Sequence, residues 1–237
     1  MSNSPIVKLI IPARNEEDAI GPVVASVVHQ VDEVIVVDNG SSDRTEERAL
    51  SGGANVISVP EPGYGRACLA GVEFAKDCDI IVFMDGDASD DPDDLKDLLA
   101  PILSNEADLV IGSRILGSCD PGALTPQQRF GNTLACWLMQ LIWKHRFTDL
   151  GPFRAIRKTA YNRLNMQAPT FGWTVEMQVR AVKQGLRCVE IPVHYRPRIG
   201  ISKISGTVKG VFLAGTYILG TIFKEALTKK KSDKTTQ

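Results

Sequence analysis

Ile80-Ile81-Val82-Phe83-Met84-Asp85-Gly86-Asp87-Ala88-Ser89-Asp90-Asp91-Pro92 decides how the chain is read. Five consecutive apolar residues run straight into two carboxylates separated by one glycine. The run has the length and composition of a strand buried on both faces. A strand ending in Asp-Gly-Asp delivers two negative charges to the carboxyl edge of its sheet, where open α/β sheets bind ligands. Carboxylates held that close repel unless a cation lies between them. The stretch therefore points to a divalent metal site serving a phosphorylated substrate.

Outward from this stretch, strand and helix alternate. Residues 6–11 read as a strand, followed by Pro12-Ala13-Arg14-Asn15-Glu16-Glu17. Asn15 is the expected cap of a helix running to about Gln30, with Glu16, Glu17 and Asp18 in its first turn. Residues 34–37 form a second buried strand that stops at the turn signal Asp38-Asn39-Gly40-Ser41-Ser42-Asp43. A helix over 44–51, a strand over 55–59 and a helix from Gly63 to about Lys76 follow. Beyond Asp87, Asp91 caps and Pro92 opens the next helix, so Asp90, Asp91, Asp93 and Asp94 read as helix-start acids and not as ligands. With a strand at 109–111, this alternation predicts an α/β fold with a mainly parallel central sheet flanked by helices.

The second half is less regular. It predicts helices over 130–143 and 173–184, the latter ended by Gly185, and a strand over 188–193. Residues 148–157 read as a loop and short strand, and 196–206 as a basic loop. An apolar helix spans 207–226, and 229–237 is a basic tail expected to be disordered.

Composition narrows the class. The 237 residues are 43% apolar with a net charge of −1, which gives no basic excess for nucleic acid. The five cysteines form no Cys-x-x-Cys pair and read as buried thiols in a reducing compartment. The N-terminus has no secretory signal pattern, and the uncharged run from Gly210 to Phe223 is shorter than the roughly 20 residues a bilayer span needs. A cytoplasmic protein is expected, with a peripheral membrane contact as an option.

Asp85 and Asp87 suit Mg2+ or Mn2+, which take one or two carboxylates and complete their shell with substrate phosphates. Alone, an Asp-x-Asp pair suits a solvated turn better than a metal; the buried strand before it reverses that preference. Asp38, at the end of the second strand, could accept hydrogen bonds from a ribose or base, or serve its turn. Gly63-Tyr64-Gly65 lacks the later glycine and the first-strand context of a dinucleotide fingerprint. Arg114, and Arg129 with Thr133 on one helix face, could grip a phosphate or simply pair at the surface. Arg196, Arg198 and Lys203 around Gly200 could form a flap over a diphosphate, or an ordinary loop. The apolar helix beside Lys229-Lys230-Lys231 could lie on an anionic membrane, pack on the domain, or sit in a homo-oligomer.

Four motifs in order, Ile10-Ile11-Pro12-Ala13-Arg14-Asn15-Glu16, Val36-Val37-Asp38-Asn39-Gly40-Ser41-Ser42-Asp43, Met84-Asp85-Gly86-Asp87 and Ile111-Gly112-Ser113-Arg114, resemble the family 2 glycosyltransferases of the GT-A fold. Thr148-Asp149-Leu150-Gly151-Pro152-Phe153-Arg154, Gly172-Trp173-Thr174-Val175-Glu176, Glu190-Ile191-Pro192-Val193 and the 198–203 loop look like the dolichyl- and polyprenyl-phosphate hexose synthase branch. The resemblance covers roughly residues 6–205. It implies a GT-A domain over 1–205; the apolar helix over 206–228, with membrane association as one of its options, and the basic tail over 229–237 lie beyond it. By the same resemblance Pro12, Ala13, Glu16 and Asp38 would cradle the nucleoside of a UDP- or GDP-linked donor. Asp85 and Asp87 would hold the metal on its diphosphate, and Arg198 and Lys203 would close over it. Arg114, Arg129 and Thr133 would bind the phosphate of a polyprenyl acceptor. Asp149 and Glu176 would position the acceptor, or act as base if the acceptor is a hydroxyl. Ser89 stands where dolichyl-phosphate mannose synthases tend to have Gln, and Leu150-Gly151-Pro152 replaces the usual Ser-Gly before Phe. The expected reaction is an inverting hexose transfer to a polyprenyl phosphate. The alternatives are a small-molecule or saccharide hydroxyl acceptor, and a non-catalytic nucleotide-sugar-binding subunit.

Overall fold

The structure is a computed structural model, and it describes residues 4–200 and 208–228. Among these, β1 (Val7–Ala13), β2 (Glu33–Asp38), β3 (Asn55–Ser58), β4 (Ile80–Phe83), β5 (Leu109–Cys119), β6 (Arg154–Arg157) and β7 (Cys188–Tyr195) form one sheet in the order β3-β2-β1-β4-β6-β5-β7. Every pairing is parallel except the two made by β6, which runs antiparallel between β4 and β5.

The apolar run before Asp85 explains the central position of β4. Ile81 and Phe83 point into one core with α3 (Tyr64–Phe74), α5 (Pro126–Trp143), α6 (Lys158–Leu164) and α7 (Trp173–Lys183). Ile80 and Val82 point into the other with α1 (Ile20–Val27), α2 (Thr45–Ser51) and α4 (Leu95–Leu103). The alternation of side chains along a strand thus fills both layers at once. The carboxyl ends of β1, β2, β4, β5 and β7 gather along one edge, with Pro12 and Ala13 closing β1, Asp38 closing β2, and Asp85 and Asp87 in the turn after β4.

Three local expectations change. The first helix begins at Ile20, because Asn15 takes a left-handed conformation (φ 51°) and its side chain accepts from Ser42 N at 2.8 Å, tying the β1 loop to the β2 loop. Asn tolerates that conformation better than most residues. The strand expected at 109–111 continues to Cys119, because it re-pairs with β7 at Ser118 and Cys119 after an irregularity. The helix expected at 130 starts at Pro126, where Thr125 and Gln128 form a reciprocal capping box. The cap at Asp91 is as expected: its side chain accepts from Asp93 N at 3.1 Å before a short 3-10 turn leads into α4.

The apolar helix α8 (Val208–Leu227) lies against α5 and α7. Ile222 is fully buried, and Glu225 pairs with Arg180 Nε and Lys183 Nζ, each at 2.9 Å. No helix among the described residues is long and apolar enough to cross a membrane. Lys203 and the 229–237 tail lie outside the described residues.

Candidate active site

The turn after β4 is built by close packing. A Cβ on Gly86 would meet Ile20 Cδ1 at 3.1 Å and Ile11 Cγ2 at 3.2 Å, so glycine lets the turn sit against β1 and α1. Asp87 is buried and accepts from Ser89 N at 3.0 Å and Ser89 Oγ at 2.5 Å. Asp90 is buried as well, and its Oδ2 accepts from Asp85 N at 3.0 Å. Burial, with Asp87 and Asp90 beside it, pushes the Asp85 carboxyl well above the usual carboxylate range. Burial pushes Asp90 up to about 7, and the charge of Asp87 adds to this. Asp90 Oδ1 is buried without a hydrogen-bond partner among the described residues. This corrects the reading of Asp90 as a helix-start acid: it belongs to the carboxylate turn. The signal available in the sequence, an aspartate three residues after Asp87, was masked by the capping pattern of Asp91-Pro92.

A strap from β7 covers the turn. Arg196 N donates to Ser89 O at 2.8 Å and Ile199 N to Asp87 O at 2.9 Å, while Asp90 bridges Tyr195 in antiparallel fashion. Arg198 Nη2 meets Glu16 Oε1 at 2.8 Å, and Nη1 lies 3.2 Å from Asp87 Oδ2. One guanidinium therefore joins the expected nucleoside side of the edge to the expected metal side. Pro12 pairs with Val37 and Ala13 with Asp38 in register, which sets these residues side by side. Asp38 Oδ1 accepts from Ser41 N at 3.2 Å.

The third part lies at the end of β5. Asp149, fully buried, accepts from Arg114 N at 2.8 Å, from Arg114 Nε at 2.7 Å, from Arg114 Nη2 at 2.7 Å and from Leu150 N at 2.8 Å. Burial opposes the charge of Arg114, but Asp149 more than offsets this and holds the guanidinium above its ordinary pKa. The guanidinium lies 5.0 Å from the centre of the Tyr195 ring. Glu190, to which the sequence gives no role, and Asn132, which no motif contains, hold this arm. Glu190 accepts from Thr148 N at 2.9 Å and Asp149 N at 3.0 Å, and Asn132 of α5 accepts from Leu150 N at 2.9 Å. Beneath it, Arg154 is buried and donates to Leu150 O, Gly151 O and Thr174 O, and burial lowers its pKa to about 10.

Arg129 and Thr133 are exposed on α5, with Thr133 Oγ1 donating to Arg129 O at 2.8 Å. Burial raises the pKa of the Cys119 thiol, and the charges of Arg129 and Arg114 both act against that, so the two arginines flank the end of β5. Glu176 is placed differently. Its carboxylate accepts from Gln167 N at 2.9 Å and Ala168 N at 2.7 Å and pairs with Arg180 at 2.8 Å, so it fastens a loop.

The donor set fits a hard divalent cation. It offers only carboxylate oxygens; burial, with the charge of Asp87 beside it, raises the pKa of Asp85 and Asp90, and one buried oxygen is unpartnered. No group of three His, Cys, Asp or Glu side chains among the described residues is arranged to hold a metal unaided. Two carboxylates and substrate phosphates are the usual arrangement for magnesium.

Comparison with known proteins agrees with this architecture. The model of "Glycosyl transferase family 2" matches residues 8–169. The chain is 36% identical over 211 residues to the uncharacterized glycosyltransferase Rv0539 of Mycobacterium tuberculosis, covering 88% of this chain and 94% of that one. It is 31% identical over 229 residues to the dolichyl-phosphate hexose transferase of Haloferax volcanii, covering 94% of each. The structure of glucosyl-3-phosphoglycerate synthase from Mycobacterium tuberculosis, in complex with Mn2+, UDP and phosphoglyceric acid, superposes with a TM-score of 0.77 over 96% of this chain and 80% of that one, at 22% identity. At that identity the likeness establishes the GT-A fold. With the family model covering most of the sheet and the full-length likeness beside it, the chain belongs to glycosyl transferase family 2.

Proposed function

We propose that this glycosyltransferase moves a hexose from a nucleoside-diphosphate sugar, UDP- or GDP-linked, to a polyprenyl phosphate of the dolichyl type. The observation that carries the acceptor is the state of Asp149. A hydroxyl acceptor needs a base, and the two carboxylates that the sequence offers for that role are both taken: Asp149 by Arg114 and Leu150 N, Glu176 by Gln167 N, Ala168 N and Arg180. A phosphate monoester arrives already anionic and needs no base.

In this reading Asp85 and Asp87 hold Mg2+ or Mn2+, which when bound supplies positive charge at the leaving diphosphate. Pro12, Ala13, Glu16 and Asp38 cradle the nucleoside. Arg198 leaves Asp87 and Glu16 for the diphosphate, and Lys203 is assigned to the same diphosphate. Arg114 offers Nη1 to the incoming phosphate, because Asp149 holds its other two nitrogens, and Arg129 and Thr133 take the remaining phosphate oxygens. The acceptor oxygen forms a bond to the anomeric carbon as the bond to the diphosphate breaks, and configuration inverts. No proton moves. The arginines offset the repulsion between two anions, which is the main electrostatic obstacle. The dolichyl-phosphate hexose transferase among the relatives supports this acceptor class. The synthase that binds phosphoglyceric acid keeps a small phosphorylated acceptor as the competing outcome.

The test is release of nucleoside diphosphate from a panel of UDP- and GDP-sugars with Mg2+ or Mn2+ and a short-chain prenyl phosphate. Release that depends on the prenyl phosphate, with product partitioning into organic solvent, supports the reading. Release only with glycerate or sugar hydroxyl acceptors overturns it.

A further inference from the structure

Helix α5 is apolar on two opposite faces. Ala135, Cys136 and Met139 face the core and are buried. At about 100° per residue, Phe130, Leu134, Trp137 and Leu141 fall on the other side of the helix, within a stripe about 17 Å long. Phe130 is 71% exposed, Trp137 56% and Leu141 53%. A stripe of this kind facing water marks an interaction surface and not a scattering of single residues. Its charge is one-sided. From Pro121 to Thr148 the chain carries no Asp or Glu, and its cations are Arg129, Lys144 and Arg146. The neighbouring α8 also exposes Leu213, Tyr217, Phe223 and Leu227.

We propose that this face of α5 docks the protein on an anionic lipid bilayer, with Phe130, Trp137 and Leu141 seated at the boundary between headgroups and acyl chains. The inference extends the lipid-acceptor reading and moves the membrane contact from the 206–228 helix to α5. An apolar stripe on a segment whose only charges are cations is what such a surface attracts, and tryptophan is the side chain that best suits its polar-apolar boundary. A second copy of the chain is a poorer occupant. Apposing two such faces sets cations against cations with no acid to pair them. The placement also suits the chemistry, because Arg129 and Thr133 lie on the flank of the same helix, at the level where a lipid phosphate would stand.

The test is co-sedimentation with large vesicles of phosphatidylcholine, with and without phosphatidylglycerol. The wild-type protein is expected to bind the anionic vesicles, less so as salt is raised. Phe130→Glu/Trp137→Glu should lower partitioning at least about tenfold. Both positions are exposed, and an unchanged melting temperature with unchanged turnover of a water-soluble short-chain prenyl phosphate separates lost docking from lost folding. Wild-type protein that stays in the supernatant, or a double variant that binds like wild type, overturns the proposal. So does a dimer in sedimentation velocity that the double variant dissolves. Turnover of the soluble prenyl phosphate without vesicle binding removes the docking face and leaves the acceptor reading intact. Vesicle binding without any such turnover upholds the docking face and removes the acceptor reading.

Discussion

The two charged regions of the sheet edge are built on opposite principles. In the arm after β5, each charge is matched: Asp149 takes two nitrogens of Arg114, and Glu190 and Asn132 hold the backbone around it. In the turn after β4, Asp85, Asp87 and Asp90 crowd together, and the cation paired with Asp87, Arg198, is shared with Glu16. A matched pair is complete before any ligand arrives and fixes geometry. A crowded one is completed only by an added cation. One side of the edge is preorganised, and the other is poised. The same residue types, carboxylate and guanidinium, therefore predict opposite responses to mutation.

The largest effect is expected on the matched side, and it is a loss of stability. Arg114→Ala leaves Asp149 as a buried, uncompensated charge, a change that costs about 3–5 kcal/mol. In a domain of this size that lowers the melting temperature by roughly 10 °C. Replacing both partners with apolar residues of similar volume should recover most of the loss by calorimetry; no recovery would mean that Arg114 stabilises the fold through contacts other than the pair. Next comes Asp87→Ala, with turnover lowered at least about a hundredfold, in line with about 3–4 kcal/mol for one lost electrostatic stabiliser. Here the fold should hold. Asp87→Asn keeps an acceptor oxygen for Ser89 and removes one of three crowded charges, so the metal-free variant should melt at or above the wild-type temperature. If Arg114→Ala and Asp87→Asn shift the melting temperature alike, the contrast between the two regions fails.

Much of this was legible in the residues, and the rest was not for identifiable reasons. The five apolar residues before Asp85 gave the buried strand, since nothing else accommodates such a run at that length. The capping patterns at Asp91-Pro92 and Thr125-Pro126 follow local rules, although apolar character alone puts the start of α5 at 130, four residues after Pro126. Asp90 was misread because its burial depends on Tyr195, more than a hundred residues away, and no local pattern records that bridge. Asp149 was picked out as a functional carboxylate. That its oxygens are consumed by Arg114 is a fact of tertiary structure, as are the supports from Glu190 and Asn132. Asn15 looked like a cap because Asn usually is one; here the β2 loop captures its side chain first.

The smallest predicted effect is the dependence of stability on pH, and it separates the two regions without touching activity. Asp90 has its pKa raised to about 7, and Asp85 is raised as well. Between the ordinary carboxylate pKa near 4 and about 7, the folded protein therefore binds more protons at this turn than the unfolded chain does. Stability falls wherever the folded state is the better proton binder as pH rises. Metal-free protein should accordingly lose stability at this turn as the pH is raised from about 4 to about 7, in contrast to an acid paired in the usual way, whose gain with rising pH is complete once the pH passes the ordinary carboxylate pKa near 4. Asp90→Asn should flatten the slope. Mg2+ or Mn2+ with nucleoside diphosphate should flatten it too, because a cation among the carboxylates removes the advantage of the proton. Asp149 raises Asp90 through its charge while Arg114 lowers it, and both effects are smaller than that of burial, so Asp149→Asn should change the slope less than Asp90→Asn does. Melting curves of the metal-free protein across this range read the effect directly. A slope unchanged by both Asp90→Asn and added metal would place its origin outside the turn after β4.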